Sequence, residues 1–403
     1  MLVTNIGQLV TLGGSPGPRR GAAMRELQII LDGAMLVRNG ITVAVGRPSD
    51  FQSDDEEILD CGGRAVLPGF VDAHTHPVWG GDRLDEFELR AGGASYEEIA
   101  ASGGGIQSSV RQTRLAPNDE LKQKFDRHAR WFLEGGTTTI EAKSGYGLDL
   151  ETEIRLLQTL GSDVPLRVIR TVLAAHAFPS DIGRSEYVDL ICTEILPTVT
   201  QQGLATNADI FVEEGYFSHA DARRIMAVAR GVGLGIRMHV DQLTNNGGAM
   251  LAAQLGADSA DHLEQTDATG INALSKSGTF PILLPASVYA LGKTKFPEAR
   301  TMIDAGLPVV LATDFNPGSS PTPSIPMVMN LACTQMKMTP AEALTAVTIN
   351  AAHSLKLGET VGSLEPTKCA DFTIWDTDDY REIAYHFAVN LLWQTYVAGQ
   401  RVT

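Results

Sequence analysis

Short apolar runs rich in Val, Ile and Leu recur through the middle of this chain, separated by longer amphipathic stretches. That alternation is the pattern of a parallel sheet built from βα units, whose strands are covered on both faces by helices. Eight strands are predicted, near Phe70 to Thr75, Thr138 to Lys143, Arg167 to Ala175, Ala208 to Glu213, Leu234 to Val240, Asp258 to Leu263, Thr279 to Leu284 and Val309 to Thr313. Helix signals fall between them. Asn118 is predicted to cap a helix whose Leu121, Phe125, Ala129 and Phe132 share one face and which Gly135 and Gly136 end. Ser218 with Asp221, and Thr339-Pro340-Ala341-Glu342, read as capping boxes. The fold class is therefore α/β, with residues 67–359 forming a (β/α)8 TIM-like barrel.

The two ends carry a different pattern. Residues 1–66 read as short strands, among them Leu27 to Leu31, Ala34 to Val37 and Ile41 to Val45, with Asn39-Gly40 as a hairpin turn. In residues 360–403, Asp371 to Trp375 is strand-like and Gln394 to Val402 reads as a hairpin turning at Ala398-Gly399. Neither piece has enough residues for a core of its own, so the two are predicted to pair into one small β-sandwich domain beside the barrel.

Composition narrows the function without naming it. The chain has 403 residues, 43% hydrophobic and 20% charged, so it can bury a large core. A formal net charge of −16 argues against nucleic acid as a partner, because phosphate-binding proteins present basic faces. An anionic substrate would need dedicated local cations. Cys61, Cys192, Cys333 and Cys369 show no C-x-x-C spacing and read as free thiols of a cytoplasmic protein. The N-terminal residues lack a signal-peptide pattern, and no apolar run approaches the roughly 20 residues that span a bilayer, so no membrane partner is expected. Gly103-Gly104-Gly105 lacks the strand-turn-helix spacing of a P-loop and reads as a local loop.

The chemistry gathers at predicted strand ends. His74 and His76 close the run Phe70-Val71-Asp72-Ala73-His74-Thr75-His76, and residues two apart on a strand project from the same face. Two imidazoles so placed can share a metal ion, and the barrel says where further ligands belong: at the C-terminal ends of strands. His239 ends the fifth strand, His262 the sixth and Asp314 the eighth. Singly, each is equally well explained as a hydrogen-bonded strand-end residue. Jointly, His74, His76, His239 and Asp314 form a three-histidine, one-carboxylate site for one divalent metal ion, zinc or iron, with one or two open positions.

At these residues the sequence resembles the amidohydrolase superfamily, and within it the hydrolases that open the cyclic amide of a carboxylated imidazolone ring. The resemblance runs through Gly69 to Arg90, Ser95 to Ile99, Gly103 to Ile106, Glu141 to Gly147 (EAKSGYG), Ala174 to Ala177, His239 to Gln242, Ala260 to Glu264 and Ala312 to Pro321 (ATDFNPGSSP). It implies that Asp314 is both ligand and proton acceptor, and that His262 stabilises charge or relays a proton without binding metal. It also implies that Arg83, Tyr96 and Tyr146 hold the substrate carboxylate, that His176 contacts the ring, and that Asn316, Gly318 and Ser319 bind ring or product. One departure stands out. Many superfamily relatives carry glutamate where this chain has Gln242, and an amide does not titrate, so Gln242 is assigned to substrate binding and the base role falls to Asp314 or His262. Some relatives bridge two metals with a carbamylated lysine, usually from the fourth strand. Here that strand ends in Val212-Glu213-Glu214, so Lys143 on the second strand is not expected to serve and one metal is. An aminoheterocycle deaminase on the same barrel and a non-catalytic metal-binding protein are the rival readings, and a homodimer is the base expectation for such an enzyme.

Overall fold

The computed structural model describes residues 1–14, 16–51, 56–94, 98–99 and 103–403. Five strands open the chain: β1 (Leu2–Val10), β2 (Ile29–Arg38), β3 (Ile41–Gly46), β4 (Ile58–Asp60) and β5 (Ala65–Pro68). Eight parallel strands follow: β6 (Phe70–Thr75), β7 (Thr137–Lys143), β8 (Arg167–Ala175), β9 (Asn207–Val212), β10 (Gly235–Val240), β11 (Ser259–His262), β12 (Phe280–Leu283) and β13 (Val310–Leu311). They pair in sequential order, each with the next. The barrel closes between its last and first strands through few but specific contacts. The Asp314 N–H donates to the His74 carbonyl at 3.1 Å, and the His76 N–H to the Phe315 carbonyl at 2.8 Å. Asp72 adds a side-chain bolt, accepting from the Thr313 N–H at 3.0 Å and its hydroxyl at 2.5 Å. These bonds explain why β13 stops at Leu311, short of the predicted Thr313: beyond it the backbone turns to serve β6.

Three strands end the chain, β14 (Phe372–Trp375), β15 (Leu392–Val397) and β16 (Gln400–Arg401), and join the first five in one eight-stranded sheet. Antiparallel pairing of β14 with β5 is the seam between the two termini. The sheet curls until the β2–β3 hairpin meets the far end of the chain, the Ala370 N–H donating to the Gly40 carbonyl at 2.8 Å. Inside lie Val3, Ile6, Leu9, Met35, Phe372 and Ile374. Asn39 and Gly40 have φ of 51° and 76°, the left-handed pair that a tight hairpin turn demands. Both capping boxes form as predicted. The helix Asn118–Glu134 differs by one position: Pro117 takes the cap, and Asn118 turns its side-chain oxygen to Arg155 at 2.9 Å.

Trp375 fastens the terminal sheet to the barrel. It is fully buried, packs on Phe70 with ring centroids 5.5 Å apart, and donates its indole N–H to the Thr373 hydroxyl. Trp375→Ala is expected to cost about 3–5 kcal/mol, read as a lower midpoint of denaturant unfolding. A midpoint within experimental error of the native value would show that the two units hold together without it.

Candidate active site

Three barrel strands deliver the four side chains of the centre. His74 is the fifth residue of β6 and His76 follows its end, while His239 lies near the end of β10 and Asp314 follows β13. All four side chains are buried. His74 Nε2 and His76 Nε2 are 3.3 Å apart, and Asp314 Oδ1 lies 3.6 Å from the first and 3.5 Å from the second. Donor atoms of His74, His76 and His239 all lie within 4.8 Å of one another, as do those of His74, His262 and Asp314.

Partners behind the imidazoles set their tautomers. His74 Nδ1 sits 2.6 Å from Asp261 Oδ2, and His239 Nδ1 sits 3.1 Å from Asp209 Oδ2. A ring that gives its Nδ1 proton to a carboxylate leaves a lone pair on Nε2, the arrangement that orients a metal ligand. Burial holds His74 well below the ordinary histidine pKa, with Lys143 and the neighbouring imidazoles adding to it. Burial likewise lowers His76, despite the opposing pull of Asp314. Neutral rings facing a carboxylate leave a set of lone pairs that at most one proton could bridge. A divalent cation satisfies all of them, so the donor set fits a metal ion.

Lys143 takes a different part from a metal-bridging residue. Its ammonium is fully buried between Glu141 at 2.9 Å and Asp209 at 2.7 Å, with Asp261 at 3.9 Å. Burial opposes its charge, but these carboxylates more than offset that and raise its pKa. It thus steadies the two carboxylates that orient His74 and His239.

A cavity enclosing about 600 Å³ of empty space, its mouth included, opens above the centre. His76, Arg83, Tyr146, His176, His239, Gln242, His262, Asp314, Asn316, Gly318 and Ser319 all line it, whereas His74 lies behind them. Tyr96 lies outside the described residues. His176 donates Nδ1–H to the Gly145 carbonyl at 2.9 Å and stacks on His76. Burial, together with His76 and His239, holds its pKa well below the ordinary value, so Nε2 is an acceptor. His262 has its Nδ1 3.3 Å from Glu264. Burial opposes its protonation, but Glu264 and Asp314 outweigh that and raise its pKa.

The loop after β13 is hydrogen-bonded within itself. Asn316 donates to the Asp314 carbonyl and the Ser319 hydroxyl, and its side-chain oxygen accepts from the N–H groups of Gly318 and Ser319. Those two backbone donors thus hold the turn that lines the cavity. The loop also presents the Ser319 hydroxyl, 3.3 Å from Asp314 Oδ2, and the bare surface of Gly318. A Cβ at Gly318 would stand 3.0 Å from Arg83 Nη1, so glycine lets the guanidinium lie on the backbone. The sequence reading missed the apolar walls, Ile106, Phe211, Leu243 and Leu291, and Tyr216 beside Phe211. Phe211 ends an apolar strand run and its parity with Asp209 marks it as pointing into the barrel mouth; nothing local marks the others. Backbone strain gathers here too: Asp241, His262, Leu263 and Asp314 all have φ between 52° and 84°.

Fold and site together define a metal-assisted hydrolase on a (β/α)8 barrel. The chain belongs to the amidohydrolase family, whose model matches residues 65–402. Within it, the chain groups with the imidazolonepropionases: it is 56% identical to that of Solibacter usitatus over 99% of this chain and 97% of the relative. It is 46% identical to that of Rubrobacter xylanophilus over 96% and 94%. Among solved structures, a 5-methylcytosine deaminase from Klebsiella pneumoniae shares the fold, with a TM-score of 0.77 at 16% identity, covering 100% of this chain and 97% of that one. A zinc-bound adenosine deaminase from Xanthomonas campestris superposes with a TM-score of 0.68 at 20% identity, over 99% and 92%.

Removing the metal is expected to abolish activity and to lower Tm, since an ion that binds only the folded state at a thousandfold excess over its Kd stabilises by about 4 kcal/mol. The check is thermal unfolding and turnover with a chelator, then with zinc or ferrous ion restored. Unchanged Tm and turnover after verified metal removal would show that the centre works without an ion.

Proposed function

We propose that this chain hydrolyses the ring amide of 4-imidazolone-5-propanoate, giving N-formimidoyl-L-glutamate. The observation that carries the reading is one cavity holding both a three-histidine, one-aspartate centre and a buried arginine, in a chain whose relatives bear the imidazolonepropionase name.

A divalent ion, zinc or iron, held by His74, His76, His239 and Asp314 would acidify water and polarise the ring carbonyl. Asp314 accepts the proton of the attacking water; burial raises its pKa, but the surrounding imidazoles, His76 first, outweigh this and hold it below the ordinary carboxylate value. His262, whose pKa Glu264 and Asp314 raise against the effect of burial, faces the growing negative charge and then donates to the leaving ring nitrogen. His176 offers Nε2 to a ring N–H, and the Gln242 amide serves the ring as donor or acceptor without titrating. Arg83 pairs with the propanoate, assisted by the Tyr146 and Tyr96 phenols, because an acidic protein needs a local cation for an anionic tail. Asn316 shapes the turn that sets Gly318 and Ser319 beside Arg83 and Asp314. The working form is a cytoplasmic homodimer acting on a small molecule, with no nucleic-acid or membrane partner. No helix among the described residues is long and apolar enough to cross a membrane.

The test is to add metal-loaded protein to freshly prepared imidazolonepropanoate and follow loss of ring absorbance together with formation of formimidoylglutamate. Ammonia release from an aminoheterocycle, with no opening of the imidazolone, would transfer the assignment to a deaminase. Absence of both reactions with metal bound would favour a non-catalytic role.

A further inference from the structure

Arg83 is not an unpaired cation waiting for a substrate. Its Nη1 lies 3.0 Å from Glu86 Oε2, and its Nε donates to the Ser109 hydroxyl at 3.0 Å. The Glu86 side chain is 14% exposed and that of Arg83 3%, so water screens this ion pair weakly. The other Glu86 oxygen accepts the Gly105 N–H at 2.9 Å. One carboxylate thus ties the cavity arginine to the glycine loop at Gly103–Gly105, the motif that the catalytic chemistry leaves unused.

The helix that carries Glu86 is weakly held. Leu84–Ala91 buries none of its residues, and Leu84, Phe87 and Leu89 are 69%, 62% and 54% exposed. Gly103 and Gly105 have φ of 89° and 68°, backbone that glycine adopts without strain. Few buried contacts on the helix side of the Glu86 bridge mean that this side gives way easily when the bridge breaks.

We propose that Glu86 is a resident counter-anion that determines specificity: it pairs with Arg83, and an incoming ligand carboxylate displaces it, releasing Gly105. A neutral tail lacks the charge to compete for a guanidinium already paired. An anionic tail replaces one ion pair by another, so the site accepts carboxylated rings and rejects their uncharged analogues. The exchange also couples filling of the anion subsite to freedom of the Gly103–Gly105 loop.

The inference rests on the carboxylated-ring reading above, so its test uses binding and not turnover. The probes are imidazole-4-propanoate, which has no ring amide to hydrolyse, and its uncharged propanamide analogue, titrated against the metal-loaded native protein and Glu86→Gln. Glu86→Gln is expected to bind the carboxylate about tenfold more tightly than the native protein does, with the affinity for the propanamide unchanged. Hydrogen exchange supplies a second readout. The Gly105 amide is expected to exchange faster when native protein binds imidazole-4-propanoate, and to be fast from the start in Glu86→Gln. Weaker carboxylate binding by Glu86→Gln, restored in Glu86→Asp, would make Glu86 a residue that merely positions Arg83 and would overturn the proposal. So would a Gly105 amide indifferent to the bound carboxylate. Failure of the native protein to bind imidazole-4-propanoate at all would instead overturn the carboxylated-ring reading, and this inference with it.

Discussion

Asp314→Asn is expected to lower kcat by about a thousandfold or more, because one substitution removes both a ligand charge and the proton acceptor. Asparagine has the same shape but neither charge nor basicity near neutral pH. The surroundings leave no substitute close at hand. Gln242 cannot titrate, and His262, whose pKa burial lowers but Glu264 and Asp314 together raise, is biased toward carrying its proton. The fold should tolerate the change, since the backbone bond from Asp314 to His74 that helps close the barrel does not involve the side chain. The measurement is kcat alongside metal content, with both variants loaded to the same stoichiometry. A near-native rate at full occupancy would remove Asp314 from proton transfer and return that role to His262.

Arg83→Ala is the second large effect, and it should fall chiefly on KM. Hydrogen bonds between charged groups contribute about 1.5–3 kcal/mol, so losing the guanidinium should raise KM for the propanoate substrate roughly ten- to more than a hundredfold. Glu86 would remain beside the empty subsite and repel the carboxylate further. The effect on kcat should be smaller, because the interaction is equal in ground and transition states. Steady-state kinetics separate the two, and an unchanged KM would move the anion subsite away from Arg83. A fall confined to kcat would mean that the arginine serves the reaction and not the tail.

Both residues were legible in the sequence, for different reasons. Asp314 stands out because the barrel makes strand ends special: once eight apolar runs are recognised, His74, His76, His239, His262 and Asp314 all fall where the βα loops converge. Arg83 carries no such signal. Beside Asp82 and Asp85 it reads as a surface pair, and only the resemblance of the surrounding motif pointed to the cavity, where the structure buries it. Asn316 shows a further limit. Its place after β13 suggested a ligand contact, and the structure adds what composition does not reveal, that its amide also ties the turn together.

By itself, then, the order of apolar and polar residues determined the barrel, the union of the two ends in a separate sheet, and the residue types of the metal centre. Periodicity is local, and a strand end needs only its own strand to be found. Only the tertiary structure decided which carboxylate stands behind which imidazole, that Lys143 is an ammonium clamped by Glu141 and Asp209, and that Arg83 is already paired with Glu86. Asp261 is 187 residues from His74. Hydrogen bonds and ion pairs form where side chains meet in space, and no local pattern records those meetings until the strands have closed into a barrel.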